Sequence, residues 1–273
     1  MSAMSVRMLG AAGLLVSCLS AHPALPAAAI DPAEALARSE AAIGNALGDH
    51  RLQLADGSTL ALSGLWGRPL VLSLVYTGCS TVCPTATETL KLSVAQARRA
   101  LGAESFQVLT LGFDARNDTP QRMRAFAIDH DIDGDPLWHV ASASPAVLSA
   151  LMDEVGFSYE GAAGGFDHVS QTTIIDPAGR VYRQVYGDDF PLPVLVEPLK
   201  ELVFGTTAAA FTPSALADRL RFLCTVYDPK LGRYRTDYGI YMGMGAGAIS
   251  LVLMGWVVVR MWRASRRAER VRA

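Results

Sequence analysis

The run Leu70-Val71-Leu72-Ser73-Leu74-Val75-Tyr76 is apolar and β-rich. It is followed by a short turn and then by a helical pattern from Pro84 to Leu101, with the proline suited to a first helical position. A second apolar strand pattern, Phe106 to Phe113, leads into Thr119-Pro120 and a helix ending about His130. Strand, helix and strand in that order make a βαβ unit, whose two strands are joined by a crossover long enough to leave them parallel. This unit commits the chain to an α/β fold.

The alternation continues with a short strand at Leu137 to Ala141 and a helix from Ser144 to Val155, with Ser144 at the cap and Pro145 in the first turn. Then the pattern changes. Gln171 to Ile175 and Val181 to Val185 flank Asp176-Pro177-Ala178-Gly179-Arg180, whose turn chemistry predicts an antiparallel hairpin, and Pro191 to Phe204 closes as a helix. Parallel units followed by an antiparallel hairpin predict a mixed sheet with flanking helices. Trp66 and Trp138 are expected in its core.

The ends read differently. Arg7 precedes an apolar run, Met8 to Leu19, too short to span a bilayer, and Ala27-Ala28-Ala29 follows before Ile30, so residues 1–29 are expected to be a secretory signal peptide cut near Ala29. A competing reading takes Leu15-Val16-Ser17-Cys18 as a lipoprotein processing box that leaves a lipidated Cys18. Tyr238 to Val259 is uncharged and long enough to cross ~30 Å of hydrocarbon as a helix. Residues 238–259 are therefore expected to be a transmembrane helix, and 260–273 a basic tail. Gly239, Gly243 and Gly247 recur on one face of that span, a pattern that admits a helix partner. The domain lies between, over residues 30–205, with a linker and juxtamembrane segment at 206–237.

Charge supports this division. The chain sums to −2, yet residues 1–29 carry only Arg7, and residues 260–273 carry six arginines against Glu269, so the middle bears a net −8. An acidic body without a basic face excludes a nucleic-acid partner. The acidic body and basic tail are expected to face different compartments, with the tail on the cytoplasmic side and the domain exported.

Of four cysteines, Cys18 leaves with the leader and Cys224 lies in the juxtamembrane segment, where it reads either as a small apolar residue or as a relay thiol. Cys79-Ser80-Thr81-Val82-Cys83-Pro84 sits where the first strand meets the first long helix. There unpaired N–H groups and the helix dipole favour thiolate. Two thiolates at this spacing close a disulfide or grip a soft ion such as Cu(I), for which an imidazole would complete a trigonal site. His22 leaves with the leader, His50 precedes the core, and His130 and His139 sit in ordinary contexts. His168 differs, following the glycine-rich stretch Gly161 to Gly165 on what reads as a flexible loop.

The segment Tyr76 to Thr85 resembles the signature of the Sco/SenC family of copper proteins. Asp114-Ala115-Arg116-Asn117-Asp118-Thr119-Pro120 is similar to that family's aspartate loop, and Asp167-His168 with Ile174 to Gly179 is similar to its late segment. The likeness runs from about Leu52 to Phe204. It implies a thioredoxin-like fold, one copper, Cu(I) or Cu(II), held by Cys79, Cys83 and His168, and a part in assembling the dinuclear copper centre of cytochrome c oxidase. The implied partner is the oxidase's copper-carrying subunit, and the implied location is a bacterial inner membrane with the domain in the periplasm. Ala115 departs from the family's usual proline, and the C-terminal span departs from its more usual N-terminal anchor. Asp114 and Asp167 are expected to organise loops, since carboxylates are poor partners for Cu(I). The alternative function is a thiol–disulfide reductase whose redox pair is Cys79 and Cys83. It leaves His168 without a role, and its C-x-x-x-C spacing differs from the common C-x-x-C.

Overall fold

A computed structural model describes residues 30–80, 82–162, 164–205, 225–228, 233–236 and 238–272. The expected leader, Cys18, His22, residues 206–213 and Cys224 lie outside them. In chain order the elements are α1 (Pro32–Ala41), β1 (Arg51–Leu54), β2 (Thr59–Ala61), β3 (Leu70–Val75), α2 (Val82–Leu101), β4 (Gln107–Gly112), α3 (Pro120–Asp129), β5 (Trp138–Ser142), α4 (Pro145–Val155), β6 (Tyr159–Ala162), β7 (Gly165–His168), β8 (Gln171–Ile175), β9 (Val181–Tyr186), α5 (Leu192–Gly205), β10 (Thr225–Asp228), β11 (Arg233–Thr236) and α6 (Tyr238–Arg272).

Seven strands form one mixed sheet in the order β2-β1-β5-β4-β3-β8-β9. β3, β4 and β5 run parallel, whereas β8 joins β3 antiparallel, β9 joins β8 antiparallel, and β1 joins β5 antiparallel. All six residues of β3 are buried, because helices or loops cover both faces of a central strand. This is why its sequence runs apolar instead of alternating. The helices start where local chemistry directs: Thr119 and Ser144 accept from Arg122 N and Val147 N, and Pro120 and Pro145 hold the first helical positions.

The buried polar side chains Gln171, Thr173 and Gln184 of β8 and β9 are satisfied. Thr173 donates to Gln184 Oε1 at 2.7 Å, and the amides of Gln171 and Gln184 both donate to the Val155 carbonyl at 3.0 Å. Trp138 is buried, with its indole N–H donating to Thr110 Oγ1 at 3.0 Å, and Trp66 packs on the core from its edge. Trp138 is thus a core residue as expected, whereas Trp66 is only half-buried at the core's margin.

Four features depart from the expectation. α1, the β1–β2 hairpin, the β6–β7 hairpin and the β10–β11 hairpin lack a strong apolar period, being short or built from alanine, glycine and charged residues. The β6–β7 pair corrects the reading of a flexible loop before His168: that residue lies in a strand, in register with Tyr159. At the C-terminal end, α6 is a single 35-residue helix whose Met242, Ile249, Leu251, Val252, Leu253 and Met254 are exposed. Among the described residues, no helix is long and apolar enough to cross a membrane, so the expected span is not shown by the structure.

Candidate metal centre

The chain leaves β3 at Val75 and turns at once, the Cys79 N–H donating to the Tyr76 carbonyl at 3.1 Å. The turn carries Cys79 to the N-terminus of α2, where its sulfur accepts from the Cys83 N–H at 3.2 Å. Cys79 thus supplies the acceptor that a helix start needs, in place of the usual hydroxyl or carboxylate. No disulfide joins the two residues. Cys83 is buried, and burial pushes its thiol up to about 12. At Cys83 loss of water outweighs what a helix N-terminus offers a thiolate.

The loop before Cys79 is tied down by Asp118, a member of the aspartate loop to which the sequence assigned no role of its own. Asp118 is 4% exposed, and its Oδ1 accepts from both the Thr77 N–H and the Thr77 hydroxyl at 2.8 Å, while its Oδ2 accepts from the Asp114 N–H at 2.8 Å. Burial raises its carboxyl above the ordinary value, and the Thr77 and Asp114 donors pull against that rise without overcoming it. Its signal in the sequence is its place just before the Thr119 cap, where a carboxylate can reach back across the loop between β4 and α3.

His168 enters from the other side, on the β6–β7 hairpin, a two-stranded sheet separate from the main one. Its ring lies among aromatic rings, 5.5 Å from the centroids of Phe113 and Phe157 and 6.3 Å from that of Tyr76. Nδ1 meets the Val169 carbonyl at 3.2 Å. A carbonyl only accepts, so this contact places the proton on Nδ1 and leaves the Nε2 lone pair available for a ligand.

Tyr76 connects the two sides. Burial, together with the neighbouring Cys79 side chain, raises its phenol above the ordinary range. Its ring packs edge-on against Phe113 and Phe166 at 5.4 and 5.2 Å. Gly165 fits under the hydroxyl at φ +155°, where a Cβ would lie 2.5 Å from the oxygen. Gly165 therefore serves close approach to Tyr76, while Gly164 at φ +92° serves the turn.

Of the three residues singled out from sequence, the structure pairs Cys79 with Cys83 and sets His168 beyond Tyr76. Among the described residues, no group of three or more His, Cys, Asp or Glu side chains is gathered closely enough to hold a metal ion. The other histidines have structural partners: His50 with Glu154 at 2.8 Å, His130 with Glu88 at 3.2 Å, and His139 with Gln107 at 3.1 Å. Asp114 accepts from Arg116 N and Asn117 Nδ2 within its own loop, and Asp167 accepts from Ile30 N. Phe113, Phe157 and Phe166 join the site through tertiary packing around Tyr76 and His168.

The sequence matches the SCO1/SenC family model over residues 39–203. It is 28% identical over 82 residues to the SCO1 protein homolog of Bacillus subtilis (strain 168), a match that spans 29% of this chain and 40% of that protein's length. A crystal structure of an Aquifex aeolicus VF5 protein superposes with a TM-score of 0.54 at 28% identity, covering 59% of this chain and 94% of the other. Arabidopsis thaliana ScoI with copper bound superposes at 0.50 and 19% identity, covering 58% and 97%. BsSco, described as a member of the Sco family of cytochrome c oxidase assembly proteins, gives 0.50 and 19%, covering 59% and 94%. The last two share the thioredoxin-like fold with this chain.

Proposed function

The chain belongs to the SCO1/SenC family, and from that premise we propose that it is an exported, membrane-anchored copper carrier. It takes copper on Cys79, Cys83 and His168 and delivers it to the copper-carrying subunit of cytochrome c oxidase. The observation that carries this reading is the Cys79–Cys83 pair at the start of α2, with an imidazole whose Nε2 is left open on the facing hairpin. Two sulfurs and one imidazole form a soft donor set suited to copper. Three ligands leave the ion open to an incoming thiol, so cargo can pass by stepwise ligand exchange.

Loading draws the β6–β7 hairpin toward the sulfurs. The hairpin is hydrogen-bonded only to itself as a sheet, so it can shift without breaking the ladder of the main sheet. Copper displaces the thiol protons, including the one that burial holds on Cys83. Support for the anchor comes from the uncharged run 238–259, the arginines after it and the exposed apolar side chains of α6. Support for export comes from the leader-like residues 1–29.

One observation favours a second reading, that of a thiol–disulfide reductase acting on the subunit's cysteines. The Cys83 N–H on Cys79 Sγ stabilises a thiolate at Cys79. Copper stoichiometry and the visible spectrum of the full chain separate the two, measured beside Cys79→Ala, Cys83→Ala and His168→Ala. The carrier binds one copper per chain. Thiolate-to-Cu(II) absorption is lost in both cysteine variants, and binding is weakened in His168→Ala. A chain that holds no copper in either oxidation state overturns the carrier reading and leaves the reductase.

A further inference from the structure

Ile30 immediately follows Ala27-Ala28-Ala29, where small side chains stand one and three residues before the bond. Its main-chain nitrogen donates to Asp167 Oδ2 at 3.2 Å across 137 positions of sequence. The direction of the chain here is set by α1, whose cap Asp31 accepts from Ala33 N at 2.8 Å. Asp167 belongs to β7, one residue before His168.

The surroundings of that nitrogen call for a positive charge. Glu160 and Asp167 stand directly opposite each other in the β6–β7 register. Like charges so placed weaken a hairpin. The adjoining cleft, about 640 Å³, is walled by Ile30, Asp31, Glu34, Arg38, Asp153 and Glu160 among others. Its single basic side chain, Arg38, is paired with Asp153 at 2.5 Å. An amide N–H at Ile30 satisfies one lone pair of Asp167 but leaves the charge of the acidic pair in place.

We infer that Ile30 is the mature N-terminus and that its α-ammonium is the cation that holds the metal-site hairpin. The inference rests on the export proposed above. Hydrolysis of the Ala29–Ile30 peptide bond by a leader peptidase adds the hydroxyl of water to the Ala29 carbonyl carbon and the remaining hydrogen to the Ile30 nitrogen. The amine then takes a proton from solvent, and the neutral contact to Asp167 becomes an ion pair. Removal of the leader thereby orders the strand that carries His168, and the hairpin reaches its final stability only after export.

The test uses the full chain with its native leader and without copper, so that it stands apart from the metal reading. Mass spectrometry identifies the first residue. Hydrogen–deuterium exchange of the β6–β7 amides is compared among the native chain, a variant with Gly-Ser inserted between Ala29 and Ile30, Asp167→Asn, and the two combined. The expected chain begins at Ile30. Exchange in the hairpin speeds up about two- to fivefold in each single variant, the range of a partly exposed ion pair. The combined variant is no faster, because both changes remove the same contact. A mature chain that begins at Met1, at a lipidated Cys18 or elsewhere overturns the inference, and an uncut leader overturns export with it. A chain that begins at Ile30 but shows unchanged exchange on insertion, or additive effects, overturns the inference while leaving export and copper binding intact.

Discussion

Replacing Asp118 by asparagine tests how the cysteine loop is held. The carboxylate offers two acceptor oxygens, one receiving both donors of Thr77 and the other the Asp114 N–H. Asparagine keeps the shape but only one acceptor. Whichever way it turns, its NH2 group faces a backbone N–H that in the native chain donates to the Asp118 carboxylate. A hydrogen bond to a charged group contributes roughly 1.5–3 kcal/mol and an orphaned buried donor costs about 1–3 kcal/mol. Relief of the buried carboxylate's desolvation offsets part of this, leaving a net loss of about 2 kcal/mol. With an m-value of roughly 1–3 kcal/mol/M in urea, the unfolding midpoint falls by about 1 M with the slope unchanged. Urea titration of the chain at neutral pH, followed by tryptophan fluorescence, reads the shift. A loss below about 0.5 kcal/mol would refute the claim that Asp118 anchors the loop, since that is the range of an ordinary surface substitution.

Three further outcomes follow from the same geometry. Phe113→Ala removes the 1%-exposed ring that touches Tyr76, Phe157, Phe166 and His168, and it is expected to cost about 3–5 kcal/mol and to weaken copper retention, read by denaturation and by competition with a Cu(I) chelator. Gly165→Ala places a methyl group 2.5 Å from the Tyr76 hydroxyl and is expected to push the hairpin outward, lowering copper affinity while leaving the far-ultraviolet circular dichroism unchanged. Burial lowers the imidazole of His139 below its ordinary 6.5, so the folded state binds its proton less readily than the unfolded chain. Its contribution is fully present above pH 6.5 and is lost as pH falls from 6.5 through the depressed value. The difference in stability between wild type and His139→Gln should therefore change with pH in that window and be flat above it.

Much of the fold is legible in the sequence because its signals are local. The continuous apolar run at Leu70 identifies a strand buried on both faces, Thr119-Pro120 and Ser144-Pro145 start helices, and the turn at Asp176 to Gly179 announces a hairpin. Cys79 and Cys83 are legible for the same reason, since a strand end and a helix start lie within a few residues of each other. The hairpins β6–β7 and β1–β2 were not, because short segments without a periodic apolar face are decided by what they pack against.

The sequence by itself determined the α/β alternation, the cysteine pair at a helix N-terminus and the candidacy of His168. Tertiary structure alone decided that Asp118 reaches Thr77, that Tyr76 neighbours both Cys79 and the His168 ring, and that Ile30 meets Asp167. The physical reason is range. Backbone propensity, capping and periodicity act over a few residues, whereas buried hydrogen bonds and ring contacts join residues 41 to 137 positions apart, and only the packed core brings them together.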